Sequence, residues 1–242
     1  MDPFRKELNK NIMKKKLGII GGMGPLAAAF FYMAVVEMTE ASSDQEHIIT
    51  YMISDPTVPK RVEFILGESG DSPEAALIDI ARRLEEMGAE IIAMPCVTAH
   101  YFFEKISSSV SVPVINMLEQ TVRYLKSSGI KSAGILATKA TLKSGIVQTA
   151  LENAGIEAFV PDEKENKIIS GVIFEEIKKG KRADTDSLLG VMDSLIRRGA
   201  EKCLIACTDL SVCFYEKEDK RYVDMMKLLA EASVKEVSGD AP

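Results

Sequence analysis

An internal repeat in the sequence limits the architectures that this chain can form. The triplet Gly-Ala-Glu at residues 88–90 precedes Cys96, and the same triplet at residues 199–201 precedes Cys207. Each of the four matched positions recurs 111 residues later. Two further matches keep the same order, residues 17–20 with 133–136 and residues 114–118 with 222–226. A duplicated half-chain with loop insertions would leave this pattern.

Short apolar segments alternate with longer amphipathic segments along the chain. The apolar segments predict buried strands at residues 17–20, 47–53, 90–94, 112–115, 132–136, 158–160 and 203–205. The amphipathic segments predict helices at residues 25–39, 73–88, 143–154, 168–179 and 185–198. This alternation indicates an α/β fold with mainly parallel sheets flanked by helices. Together with the repeat, it predicts two pseudo-symmetric lobes that face each other across a cleft.

Composition excludes several classes of protein. The 242 residues carry a net charge of −6, have 6% aromatic residues and contain no tryptophan, which argues against a nucleic-acid partner. The apolar runs are too short for a membrane span, and we find no signal peptide. The four cysteines form no disulfide framework, so we expect thiols in a cytoplasmic protein. Cysteines and histidines show no metal-ligand spacing, so we expect no metal site.

The repeated cysteines suggest a specific chemistry. Cys96 and Cys207 each follow a predicted strand, at the edge of a parallel sheet where ligands bind. Two thiols on opposite walls of one cleft suit racemisation or epimerisation, because one removes a proton and the other delivers one to the opposite face. We expect backbone N–H groups at these turns to lower the pKa of each thiol. Cys203 and Cys213 have no repeat partner and are interpreted as structural residues.

Other residues near the cysteines admit more than one interpretation. Thr98 and Thr208 follow as hydroxyl donors, and His100 either faces the cleft or caps its helix. The glycine-rich residues 21–24 follow a strand, as in a dinucleotide-binding loop. They lack the Gly-x-Gly-x-x-Gly spacing, which argues against nucleotide binding.

Three motifs resemble the signatures of the aspartate/glutamate racemase family. They are Gly-Gly-Met-Gly-Pro at residues 21–25, Pro-Cys-Val-Thr-Ala-His at 95–100 and Ala-Cys-Thr-Asp-Leu at 206–210. The resemblance implies an amino-acid racemase with two cysteine acid/bases, no cofactor, a small acidic amino acid as substrate and a homodimer. It also implies Rossmann-like lobes with a returning C-terminal segment. The resulting division is an N-terminal extension (1–15), a first lobe (16–117 plus 221–242) and a second lobe (118–220).

The resemblance also assigns roles to individual residues. Arg61 follows Pro59 and Lys60 as the family arginine follows Pro-Asp, so it is the expected anchor for a side-chain carboxylate. The catalytic pair is Cys96 and Cys207. The expected substrate-binding residues are Met23, Gly24, Arg61, Val97, Thr98, Thr138, Thr141, Thr208 and Asp209.

The sequence departs from the family pattern at several of these positions. Val97 stands where an asparagine is common, so we expect weak aspartate turnover or a substrate with an apolar group there. Asp209 replaces a glutamate. A family lysine of the second lobe has no aligned match, and Lys164 and Lys167 are the nearest candidates.

Two alternatives to a racemase remain at this point. The same fold serves isomerases and decarboxylases of small carboxylic acids. A pair of lobes without catalysis would bind a small acid, although such a protein would not need both cysteines.

Overall fold

The computed structural model describes residues 14–217 and 219–239, and it contains two parallel β-sheets. The strands are β1 (Leu17–Gly21), β2 (Thr50–Ser54), β3 (Ile91–Ala93), β4 (Ser132–Leu136), β5 (Glu157–Phe159), β6 (Lys202–Ile205) and β7 (Tyr222–Asp224). The first sheet has the order β2-β1-β3, and the second has the order β5-β4-β6-β7. All strand pairings are parallel. The predicted fold class, parallel sheets flanked by helices, is confirmed.

Helices connect the strands and cover the sheets. They are α1 (Pro25–Met38), α2 (Arg61–Leu66), α3 (Glu74–Glu86), α4 (Phe103–Ser107), α5 (Met117–Ser127), α6 (Lys139–Ser144), α7 (Ile146–Asn153), α8 (Glu163–Gly171), α9 (Thr185–Arg197), α10 (Thr208–Phe214) and α11 (Met225–Ser238). Short 3₁₀ segments occur at Asp44–Glu46, Thr98–Phe102 and Ile177–Lys179, and a π-helical segment occurs at Val172–Glu176.

The sequence repeat corresponds to a repeat in the sheets. In each sheet the first strand of the lobe is central, the second lies on one side and the third on the other. An isolated parallel bridge between Ile92 and Val114 then occupies the position in the first sheet that β7 occupies in the second. The predicted strand at residues 112–115 is therefore reduced to this bridge.

Two matched glycines explain how each lobe packs its helix on its central strand. A Cβ on Gly18 would lie 2.9 Å from the Ala89 side chain and 3.3 Å from Leu84 Cβ, and a Cβ on Gly134 would lie 2.9 Å from Leu195 Cβ. Gly18 lies on β1 below α3, and Gly134 lies on β4 below α9. The absence of a side chain at both positions lets the helices approach the sheets closely.

Two predicted helices have different limits in the structure. The predicted helix at 143–154 is split at Gly145, which has φ 72° and separates α6 from α7. The predicted helix at 168–179 begins earlier, because Asp162 and Glu165 form a capping box at the start of α8. It then changes to π-helical and 3₁₀ turns before it ends at Gly180.

The C-terminal segment connects the two lobes. β7 pairs with β6, so residues 222–224 lie in the second sheet, although the predicted boundary gave them to the first lobe. α11 follows directly and contacts both α1 and α5. Most of the predicted N-terminal extension, residues 1–13, lies outside the described residues. Within the described parts of the chain, no helix has both the length and the apolar character needed to cross a membrane.

Candidate active site

The two repeated cysteines lie in turns that contact each other. Cys96 follows β3, Cys207 follows β6, and each is only 6% exposed. The Thr208 hydroxyl donates a hydrogen bond to the Pro95 carbonyl oxygen at 3.1 Å. Because each of these partners is adjacent to a cysteine, the carboxyl edges of the two sheets meet at the cysteine turns.

Three buried threonine hydroxyls form a second contact between the lobes. The Thr98 Oγ1 atom lies 2.8 Å from Thr141 Oγ1 and 3.2 Å from Thr138 Oγ1. The Thr138 and Thr141 hydroxyls are 3.0 Å apart, and the Thr141 backbone N–H donates to Thr138 Oγ1. A hydroxyl has one donor and two acceptor positions, so this cluster can reorient its protons toward a polar group. The structure thus brings together three of the predicted substrate-binding residues.

Asp209 connects the second lobe to the glycine-rich loop of the first. Gly24 has φ 147°, and a Cβ at that position would lie 2.3 Å from Asp209 Oδ1. Only glycine fits there, because any side chain would collide with the carboxylate and the backbone conformation is strained for other residues. The Gly24 backbone therefore lies against Asp209.

A lysine that the sequence did not reveal pairs with Asp209. Lys178 Nζ lies 2.7 Å from Asp209 Oδ2. The predicted candidates are not at this position: Lys167 pairs with the exposed Glu163 on the surface of α8, and Lys164 is also exposed. Lys178 lies in the 3₁₀ turn Ile177–Lys179, after the π-helical segment, so helical periodicity counted from the sequence would not locate it.

Arg61 is held by backbone carbonyl groups. Its Nη1 atom donates to the carbonyl oxygens of Val58 and Pro59 at 3.1 and 3.0 Å, and Nη2 donates to that of Met23 at 3.3 Å. The Arg61 Nε atom is buried and has no hydrogen-bond partner among the described residues. The guanidinium thus braces the loop that contains Met23 and Gly24 and keeps one buried donor available.

His100 contacts the backbone on both sides of its ring. The Met117 backbone N–H donates to Nε2 at 3.1 Å, so Nε2 is the acceptor and Nδ1 carries the proton that bonds to the Cys96 carbonyl oxygen at 2.9 Å. Burial lowers the pKa of His100 to about 4. A neutral imidazole therefore links the Cys96 turn to the start of α5. The sequence predicted that His100 either faces the cleft or caps its helix, and this link is neither of the two.

The expectation of a lowered thiol pKa is wrong for Cys207. Burial raises the pKa of this thiol well above its usual range, and the negative charge of Asp209 raises it further. The backbone N–H groups of Asp209 and Leu210 and the charge of Lys178 act in the opposite direction but do not compensate. The net effect favours the protonated thiol of Cys207.

The environments of Cys203 and Cys213 are typical of structural residues. Cys203 lies inside β6 with no exposure, and burial raises its pKa to about 12. Cys213 is half-buried on α10, and its pKa is raised to about 11 for the same reason. Among the described residues, no group of three or more His, Cys, Asp or Glu side chains could hold a metal ion.

Val97 packs into an apolar environment. It is 1% exposed and belongs to the buried cluster that includes Ala93, Ile115 and Met117. An asparagine at this position would have to bury an amide among these side chains, at a cost in stability.

Comparisons with known proteins identify the family and relatives of this chain. A family model described as Asp/Glu/Hydantoin racemase matches residues 20–233. The chain is 29% identical over 226 residues to the broad-specificity amino-acid racemase RacX of Bacillus subtilis, covering 90% of this chain and 96% of that protein. Its fold matches the Picrophilus torridus aspartate racemase with a TM-score of 0.79 and 31% identity, covering 93% of this chain and 94% of the other. An aspartate racemase homologue from Pyrococcus horikoshii has the same fold, with a TM-score of 0.76, 24% identity and coverage of 93% and 99%.

The fold and the match along most of the chain define an isomerase of the amino-acid racemase class. The protein belongs to the Asp/Glu/Hydantoin racemase family.

Proposed function

We propose that this protein interconverts the enantiomers of an acidic amino acid, aspartate or glutamate, with Cys96 and Cys207 as the two acid/base groups. The observation that carries the proposal is the contact between the two cysteine turns, in which Thr208 bonds to the Pro95 carbonyl oxygen. This contact joins the two turns that carry buried thiols at repeat-related positions, and it supports a shared site for them.

In the proposed reaction, one cysteine acts as a thiolate and takes the α-proton of the substrate. The electron pair of the C–H bond stays on the substrate and is delocalised into the α-carboxylate. The other cysteine, as a thiol, delivers its proton to the opposite face and becomes a thiolate. The reverse reaction exchanges the two roles, so each enantiomer has its own base.

Burial of Cys207 suits the role of proton donor, because its raised pKa keeps the thiol protonated. For the reverse direction this thiol must ionise. A bound amino acid brings an ammonium group into the site, and a nearby positive charge lowers the pKa of a thiol. We therefore expect ionisation of Cys207 to depend on the substrate.

The polar groups around the cysteines provide positions for both carboxylates of the substrate. Thr98, Thr138 and Thr141 can direct hydroxyl protons at the α-carboxylate. Among the described residues, the buried Nε donor of Arg61 has no hydrogen-bond partner, and Lys178 supplies a second cation that pairs with Asp209. These two cations would bind the side-chain carboxylate.

The test is a racemisation assay with each enantiomer of aspartate and glutamate, followed by circular dichroism. Cys96→Ala and Cys207→Ala should each abolish detectable racemisation, since positioned acid/base groups contribute about 10²–10⁴-fold each. Cys213→Ala is the matched control and should keep activity. Full racemisation in either catalytic variant would refute the two-cysteine mechanism.

A broader substrate range is the second candidate. Val97, where the family often has an amide, has no polar group to bind a carboxylate, and RacX, at 29% identity, is described as having broad specificity. The same assay with alanine, leucine and lysine distinguishes the two, because a strict acidic racemase leaves these amino acids unchanged.

We further propose that the protein is a homodimer that buries one face of α1. The solvent-facing side of this helix carries the apolar side chains of Leu26, Tyr32 and Met33, each 39–48% exposed. A solvent-facing apolar helix surface is typical of an interface. Sedimentation of the wild type should give a dimer and Met33→Glu a monomer, whereas Met87→Glu at the end of α3 should remain dimeric. The four free thiols suit a reducing compartment such as the cytoplasm.

A further inference from the structure

In both cysteine turns, a buried polar residue follows the cysteine at the same distance along the chain. His100 lies four residues after Cys96, and Ser211 lies four residues after Cys207, so the two positions are related by the repeat. Their exposed fractions are 4% and 0%. Neither side chain is among the expected substrate-binding residues.

Toward the cysteine, each residue donates a hydrogen bond to the carbonyl oxygen of the cysteine that precedes it. The Ser211 backbone N–H reaches the Cys207 oxygen at 3.3 Å, because this turn is the start of the α-helix α10. The Cys96 turn is a 3₁₀ helix, in which the corresponding backbone N–H bonds one residue later, to Val97. The His100 imidazole replaces the missing bond by donating from Nδ1 to the Cys96 oxygen at 2.9 Å.

Away from the cysteine, each residue forms a hydrogen bond with the start of a helix, α5 for His100 and α11 for Ser211. His100 Nε2 accepts from the Met117 backbone N–H, the first residue of α5. The Ser211 hydroxyl donates to Asp224 Oδ1 at 2.7 Å, and Asp224 caps α11 by accepting from the Met226 backbone N–H. α5 and α11 begin within the matched segments 114–118 and 222–226. Each contact therefore ties a cysteine turn to the corresponding helix of the repeat.

We propose that His100 is the positioning residue for Cys96 and that Ser211, held by Asp224, is the positioning residue for Cys207. This inference rests on the proposed function. Neither side chain exchanges a proton with the substrate; each fixes the orientation of its cysteine turn. Because a shift of about 1 Å at a reacting atom can cost about 100-fold in rate, loss of either contact should lower kcat about 10- to 100-fold.

The two positioning roles can be separated by isotope effects. The equilibrium constant of a racemisation is unity, so kcat/KM stays equal in the two directions in every variant. A variant can nevertheless change which of the two proton transfers limits the rate. Deuterium on the α-carbon of the substrate slows only the transfer that removes it, so the isotope effect from each enantiomer reports on one cysteine.

His100→Phe keeps an aromatic ring against Phe103, on which His100 stacks, but removes both hydrogen bonds. It should slow proton transfer at Cys96. The α-deuterium isotope effect on kcat/KM should therefore rise for one enantiomer and fall for the other. Ser211→Ala should slow transfer at Cys207 and change the same two isotope effects in the opposite directions.

Conservative variants and a control complete the experiment. His100→Asn keeps a donor toward the Cys96 oxygen but loses the acceptor for the Met117 N–H, so it should lose less kcat than His100→Phe and change the two isotope effects in the same directions. Asp224→Asn keeps the Oδ1 acceptor for Ser211 and should retain most of the wild-type kcat. Ser233→Ala removes another fully buried serine hydroxyl, which bonds to the Leu229 carbonyl oxygen within α11, and should leave rate and isotope effects unchanged.

The proposal is overturned if the His100 and Ser211 variants change the two isotope effects in the same direction, or if they leave both as in the wild type. If His100→Phe does not fold, His100→Asn decides, since an isotope effect pattern identical to the wild type would then exclude positioning through Met117. Failure of the proposed function is a distinct result, because the wild type itself would then not racemise either enantiomer.

Discussion

Mild acid should destabilise the folded protein through His100, and His100→Asn should remove this sensitivity. The folded state keeps the imidazole neutral, with its pKa lowered from 6.5 to about 4 by burial. In the unfolded chain the same group takes up a proton near its ordinary value. Between these two pKa values the unfolded state binds more protons, so the free energy of unfolding falls as the pH falls.

The size of the effect follows from the shift. Each pKa unit corresponds to 1.36 kcal/mol, so the shift of His100 removes about 3 kcal/mol of stability between about pH 6.5 and pH 4. This contribution is fully present above pH 6.5. Asparagine does not titrate, so the variant lacks this loss, while all other titrating groups contribute equally to both proteins.

Urea unfolding of wild type and His100→Asn at about pH 7.5 and about pH 4 measures the difference. The wild type should lose about 3 kcal/mol more than the variant between these two conditions. An equal loss in both proteins would show that His100 is protonated in the folded state, and the neutral link between the Cys96 turn and α5 would then be wrong.

Three further predictions concern the substrate site. Gly24→Ala should lower racemase activity strongly, because its Cβ would lie 2.3 Å from Asp209 Oδ1; wild-type rates in this variant would refute the close contact. Arg61→Met and Lys178→Met should each raise KM for aspartate more than for a neutral amino acid, and an equal loss for both substrates would indicate a structural role instead. Val97→Asn should lower the free energy of unfolding by about 1–3 kcal/mol, measured in urea, because it buries an amide among apolar side chains. If the new amide reaches a substrate carboxylate, the variant should racemise aspartate faster than the wild type. If the variant instead loses every activity while the wild type turns aspartate over at ordinary rates, another group already binds that carboxylate.

Local patterns in the sequence were sufficient to predict the parallel sheets and the positions of the two cysteines. A repeat of glycine, alanine, glutamate and cysteine encodes both the end of a helix and the turn after a buried strand. The family resemblance named Thr98, Thr138 and Thr141 among the expected substrate-binding residues, and the structure shows that their hydroxyls are joined through hydrogen bonds.

Features that depend on contacts between distant segments were not predictable. Lys178 reaches Asp209 because a π-helical segment precedes it, and neither propensity nor periodicity signals such a segment. The raised pKa of Cys207 arises mainly from burial among side chains of the second lobe that are distant in sequence, which no local motif reports. β7 lies in the second sheet because it pairs with β6, which is distant from any local pattern. The repeat match at residues 222–226 was the sequence feature that could have indicated this pairing.

The proposed mechanism uses two opposed cysteines, one for each enantiomer. It is tested most directly by the reaction of a single enantiomer of the substrate in deuterium oxide, stopped at low conversion and analysed by proton NMR after chiral separation. With two separate acid/base groups, the newly formed enantiomer should carry deuterium at the α-carbon while the recovered starting enantiomer keeps its proton, because the base that removes a proton differs from the acid that supplies one. Deuterium in both enantiomers from the earliest times, or a product that retains the original proton, would contradict the two-cysteine mechanism.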